Sequence, residues 1–190
     1  MPNLEIAAFT PSSALLALKS GARRIELCAH KDKDGLTPDV KDFSSVYSAL
    51  HAQNEKRFDG KVNEKKEEEE DGEINIMIRP VDNSSLGVGP DDNFRVGDEL
   101  INLNFTSLLT SGGAPTSVQG VVQLQKLVQQ AAGRIDIIVG GGVRSRNLEE
   151  LVQETGAGWF HSSAVVGDGE NVNGEEVEKM RDILGGTRVG

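Results

Sequence analysis

The sequence predicts an α/β fold: a parallel sheet of about six strands with helices packed against it. Two observations lead there. Six short β-rich runs recur along the chain, and five amphipathic stretches lie between or after them. An alternation of that kind points to βαβ units rather than hairpins. The strand-like runs also end, on their C-terminal side, in glycine or polar residues, where the loops of a parallel sheet carry function.

Each element can be justified in order. "LEIAAF" (4–9) is the first strand, followed by a helical "TPSSALLALKSGA" (10–22). There Thr10 is placed to cap the helix, Pro11 sits in the first turn and Gly21 follows the end. "RIELCA" (24–29) is the second strand, and "VKDFSSVYSALHAQ" (40–53) its helix. "INIMIRP" (74–80) is a third strand. "FTSLLTSGG" (105–113) is a fourth, with its helix in 117–133. "IDIIVGGG" (135–142) is a fifth, followed by a helix in 144–157. "GWFHSSA" (158–164) is a sixth, and 174–186 closes the chain as a helix. Two segments break the rhythm. Residues 55–73 hold nine acidic and five basic residues and almost nothing apolar, which predicts a solvated insertion. Residues 81–104 are rich in Gly, Asp and Asn and show no strand–helix pair.

Length and composition limit the function classes. A chain of 190 residues is one ordinary domain, spanning 1–190. The net charge of −10 argues against nucleic acid or an anionic membrane as a partner, since either needs a basic face. One cysteine, Cys28, rules out an internal disulfide and fits a reducing, cytoplasmic setting. No apolar run approaches the roughly 18 residues of a membrane span.

Several residues at strand ends could carry chemistry. Glu5 and Glu26 each interrupt an apolar strand. Burying such a carboxylate unpaired costs several kcal/mol. Each therefore faces the helix side, or pairs with Arg23 or Arg24, or faces a site that needs its charge. Arg79 is a cation ending the third strand. Cys28 and His30 are two apart, which puts them on one face of a continuing strand. Sulfur plus imidazole suits Cu(I) or Zn, although two ligands do not complete a site; His161 and Met77 would have to join them. "VGGGVRSRNLEEL" followed by "FHSSA" is the more specific pattern. Gly141 and Gly142 let the backbone approach a ligand, the next helix offers free N–H groups, Arg144 adds charge, and Ser162 and Ser163 add hydroxyls. These residues predict a pocket for a small anion.

Seven segments in order, "LEI", "GARRIELC", "DGLTP", "MIRP", "LLTSGG", "GGGVRSRNL" and "FHSSA", resemble the CutC copper-homeostasis family. The resemblance covers about two thirds of the chain and implies a TIM-barrel-like (β/α) fold and a role in copper handling. It implies a polar barrel mouth containing Glu5, Glu26, Cys28, Arg79, Ser111 and His161, with Cys28 as the copper ligand. Family members carry two further strand–helix units between "MIRP" and "LLTSGG", and 81–104 is too short for them, since a βαβ unit needs about 30 residues. The expectation is thus an incomplete barrel of six strands with a gap. The remaining sheet curls on itself, a second copy covers the gap, or the chain is a shortened product. Two functions follow as expectations. One is a copper-homeostasis protein binding Cu(I) through Cys28 and its neighbours. The other is an enzyme, or former enzyme, on a small phosphorylated or carboxylated metabolite. In that reading Glu5 or Glu26 is the acid/base, Arg79 the anion clamp and His161 the proton carrier.

Overall fold

The strands β1 (Asn3–Ala8), β2 (Arg24–Leu27), β3 (Glu73–Ile76), β4 (Ser107–Thr110), β5 (Asp136–Val139) and β6 (Trp159–Ser162) form one sheet in the order β3-β2-β1-β6-β5-β4. Every pairing in it is parallel. The computed structural model describes residues 1–33, 35, 38–58, 73–76, 106–167 and 171–186, without side chains at 33, 50–58 and 73–76. The order is sequential around a curled half-barrel in which the first strand pairs with the last, and β3 and β4 are the two edges. Among the described residues the sheet therefore opens where the chain runs from strand three to strand four. Arg79, Met77, the segment 81–104 and all of the acidic insertion except 55–58 and Glu73 lie outside the described residues.

The helices α1 (Pro11–Lys19), α2 (Val40–Phe58), α3 (Val121–Ala131), α4 (Ser145–Thr155) and α5 (Gly174–Gly186) complete the description. α1 starts where sequence chemistry says it must. Thr10 has extended backbone (φ −145°, ψ 153°), and its Oγ1 accepts from Ser13 N at 3.1 Å. α2 runs to Phe58, beyond the expected end at 53, because Asn54–Phe58 contains no breaker and Gly60 is the first. α3 begins at Val121 rather than 117, because Ser117 belongs to the preceding turn and bonds across to Gly141. α4 ends at Gly156 in the left-handed conformation (φ 66°).

Strand periodicity divides the side chains cleanly. Leu4, Ile6 and Ala8 of β1, Ile25 and Leu27 of β2, Val139 of β5 and Phe160 of β6 turn outward into the core shared with the helices. Each large side chain buried there contributes about 1.5–3 kcal/mol. Glu5, Arg24, Glu26 and His161 alternate with these and turn to the inner face. The inner face is therefore polar next to an aliphatic outer core, and the site lies on it.

Candidate functional site at the inner rim

Register builds the centre of the site. Glu5 lies beside Arg24 on one neighbouring strand and beside His161 on the other. One level up, the small Ala7 lies beside Glu26 and leaves room for Glu26 to reach over it. The Glu5 carboxylate accepts from His161 Nδ1 at 2.6 Å and, with its other oxygen, from Arg24 Nε. The Arg24 guanidinium stacks on the Trp159 ring, 3.9 Å from its centroid. His161 Nε2 in turn lies 3.7 Å from Glu26 Oε2. Cys28 Sγ is 3.5 Å from that same oxygen. Arg24, Glu5, His161, Glu26 and Cys28 thus form one continuous polar chain from the interior to the rim.

Electrostatics decides the state of Glu5, which is 2% exposed. Burial is the strongest influence and pushes its pKa up, yet the hydrogen bonds and charges of His161 and Arg24 together outweigh it and hold the carboxyl below its ordinary 4.5. Glu5 is therefore ionised at neutral pH and accepts the Nδ1 proton, leaving Nε2 of His161 directed toward Glu26. A histidine oriented by a buried carboxylate, with its second nitrogen facing a cleft, is the geometry of general acid–base chemistry.

That cleft is a pocket of about 520 Å³ whose wall includes Glu26, Cys28, Lys31, Arg144 and His161. Its volume suits a small molecule. Gly141, Gly142, Ser162 and Ser163 line it together with Ser111 and Thr110. The two serines differ. Ser162 Oγ donates to Val143 O at 2.6 Å and accepts from Arg144 Nη1 and Ala164 N, so its donor is spent holding the loop. Ser163 Oγ accepts from Arg144 Nη2 at 2.9 Å and keeps its own proton. Ser111 Oγ donates to Ala114 O at 2.6 Å. Burial lowers the pKa of Arg144, with Glu176 working against that and Arg146 adding to it.

The expectation that Cys28 and His30 share a face does not hold. β2 ends at Leu27, and His30 adopts φ 51°, which turns its side chain out to Asp32 (3.9 Å) at 59% exposure. Cys28 lines the pocket and His30 does not. Among the described residues no three His, Cys, Asp or Glu side chains are grouped to hold a metal ion. The N-terminus of α4 is also occupied from within: Glu176 accepts from Ser145 N at 2.7 Å and from Ser145 Oγ at 2.8 Å. No local signal reveals this cap, which comes from a residue 31 positions away. Trp159, Ser117 and Lys31 are further site residues missing from the sequence reading. Strand parity alone could have found Trp159, two residues before His161.

Comparison with known proteins fits this geometry. A profile of the CutC family matches residues 90–166. A CutC family protein from Xanthomonas axonopodis pv. citri is 30% identical, the match covering 85% of this chain and 82% of the relative. One from Treponema denticola is 29% identical over 85% of this chain and 81% of its own length. Both alignments are longer than the stretch of this chain they cover, so the relatives carry residues this chain lacks. Among solved structures, a CutC protein from Streptococcus agalactiae, named for copper homeostasis, aligns with TM-score 0.63 at 23% identity. That alignment covers 86% of this chain and 99% of that one. A phosphoribosylanthranilate isomerase from Thermotoga maritima aligns with TM-score 0.56 at 14% identity, covering 98% of this chain and all of that one. These likenesses establish a TIM-barrel-like fold. Among the described residues no helix is long and apolar enough to cross a membrane.

Proposed function

The chain belongs to the CutC family, and from that membership we propose that it works in copper homeostasis, taking Cu(I) as cargo at Cys28 on the inner rim. The observation that supports this reading is the position of Cys28. The only cysteine of the chain lines the pocket, beside Glu26 and on the same inner face as His161. Thiolate is the softest ligand the chain offers and Cu(I) is the soft ion that selects it. With no three-residue cage among the described residues, the reading is of a site centred on one sulfur that is itself buried at the pocket wall. A reducing cytoplasm, in which the thiol persists, is the matching compartment.

Competition for Cu(I) with a chromophoric chelator tests it. Cys28→Ser weakens the affinity of the chain at least several-fold, and His30→Ala leaves it unchanged. Equal affinity of wild type and Cys28→Ser would end this reading.

One observation favours a second reading. The buried Glu5 carboxylate holding Nδ1 of His161 at 2.6 Å is more than a metal site on Cys28 requires. In this reading the inner rim is an acid–base centre for a small phosphorylated or carboxylated metabolite. His161 is the proton carrier, Glu5 fixes its tautomer, and Glu26 is the second carboxylate at the cleft. Metal titration separates the two readings, because only the first requires Cys28.

A further inference from the structure

The glycine loop after β5 has its carbonyls tied down. Gly141 O accepts from Ser117 N at 2.8 Å and from Ser117 Oγ at 2.9 Å. Gly142 O accepts from Asn147 Nδ2 at 3.1 Å. In a trans peptide the N–H points opposite to the C=O, so the Gly142 amide is directed away from Ser117. Gly141 and Gly142 hold φ values of 93° and 75°, which glycine alone adopts without cost. Successive amides in such a turn form a concave, partially positive nest. The amides of Gly141, Gly142 and Ser163 have no acceptor among the described residues.

Full charge stands beside that nest. The Arg144 guanidinium spends four N–H donors on Val143 O, Val165 O, Ser162 Oγ and Ser163 Oγ. An arginine has five, so one remains on Nη2, next to the Ser163 hydroxyl and its unspent proton. Lys31 adds a second cation to the pocket wall. The positive character does not come from the terminus of α4, whose first amide is neutralised by Glu176.

We propose that this corner of the pocket binds the phosphate group of a phosphomonoester, with the remainder of the molecule extending toward His161. The donors come from two loops that line one pocket, and their number (three amides, one guanidinium N–H and one hydroxyl) suits the three oxygens of a phosphate better than the two of a carboxylate. The direction of the remainder rests on the acid–base reading; the phosphate subsite itself does not.

The test is a titration of the full chain with inorganic phosphate at constant ionic strength, followed by amide NMR. The amides of Gly141, Gly142 and Ser163 shift and saturate, and acetate at equal ionic strength leaves them in place. Gly142→Asp keeps the amide but sets a carboxylate beside the anion, and like-charge repulsion weakens phosphate affinity by about ten-fold or more. Space is not the obstacle, since a Cβ at 142 meets only Thr116, at 3.8 Å; the φ of 75° strains any residue but glycine, Asp less than most. Ser163→Ala, which leaves the backbone alone, weakens binding a few-fold. His30→Ala, an exposed position outside the pocket, binds phosphate as wild type does. Absent or non-saturating shifts, equal shifts with acetate, or unchanged phosphate affinity in Ser163→Ala would each overturn the subsite. The imidazole N–H resonance of His161 in the same spectra reads the acid–base pair separately. Phosphate shifts without that resonance sink the acid–base reading and leave the subsite standing.

Discussion

Replacing Glu5 with alanine lowers the unfolding free energy by about 3–5 kcal/mol, the usual result of removing one member of a buried ion pair. The loss comes from what stays behind. Arg24, 8% exposed, stays buried with the Glu5 carboxylate gone, and His161 loses the acceptor of its Nδ1 proton. For a chain of this size that is a fall in Tm on the order of 10 °C. Glu5→Gln keeps the shape and costs less. Urea unfolding measures both, and a loss below about 1 kcal/mol for Glu5→Ala would mean that the pair is no more than a surface contact. The same carboxyl sets a pH dependence. Its folded pKa lies below its ordinary 4.5, so its contribution is complete above that value and disappears as pH falls through the folded value. The stability difference between wild type and Glu5→Gln therefore shrinks as pH falls below 4.5. A difference that stays constant would show that Glu5 is not held ionised.

Gly120→Ala gives the second large effect, and it ties the fold to the pocket. Gly120 has an ordinary φ of −92°, so any residue could adopt its backbone. Space is the obstacle: a Cβ there would lie 1.9 Å from Ser111 O and 3.3 Å from the Ala114 side chain. Main chain must move to admit it, at a cost of about 3 kcal/mol, or roughly 6–12 °C in Tm. The displaced turn also carries Ser117, which ties the Gly141 carbonyl, so phosphate shifts at Gly142 weaken in the same variant. Gly158→Ala is the control, because nothing lies within 4 Å of a Cβ at that position. Thermal unfolding that ranks the two variants equally would contradict this account of the turn.

Much of this architecture was legible in the sequence, for a physical reason. Alternating apolar residues in runs such as "LEIAAF" and "RIELCA" mark strands whatever their neighbours are. Short connections set consecutive strands side by side, β1 with β2 and β4 with β5 and then β6. Parity then put Glu5, Glu26 and His161 among the candidates. What the sequence could not supply was register. Nothing local says that β1 has β6 on its other side, so the placement of Glu5 between Arg24 and His161 stayed hidden. Arg24 could be read only as one of several partners for it. Backbone turns account for the rest. A single positive φ at His30 separates it from Cys28, and no residue pattern distinguishes Ser162, whose hydroxyl is spent, from Ser163, whose proton is available. The helix-start argument for an anion failed at Ser145 because Glu176 had already supplied one. The glycine and Ser163 amides beside it remain as donors.

Copper K-edge X-ray absorption on the Cu(I)-loaded chain reads the ligand at Cys28 itself. The expected spectrum has a sulfur shell around copper in the wild-type chain that disappears in Cys28→Ser. A copper environment built of nitrogen and oxygen alone, or a sulfur shell that survives the substitution, would contradict it.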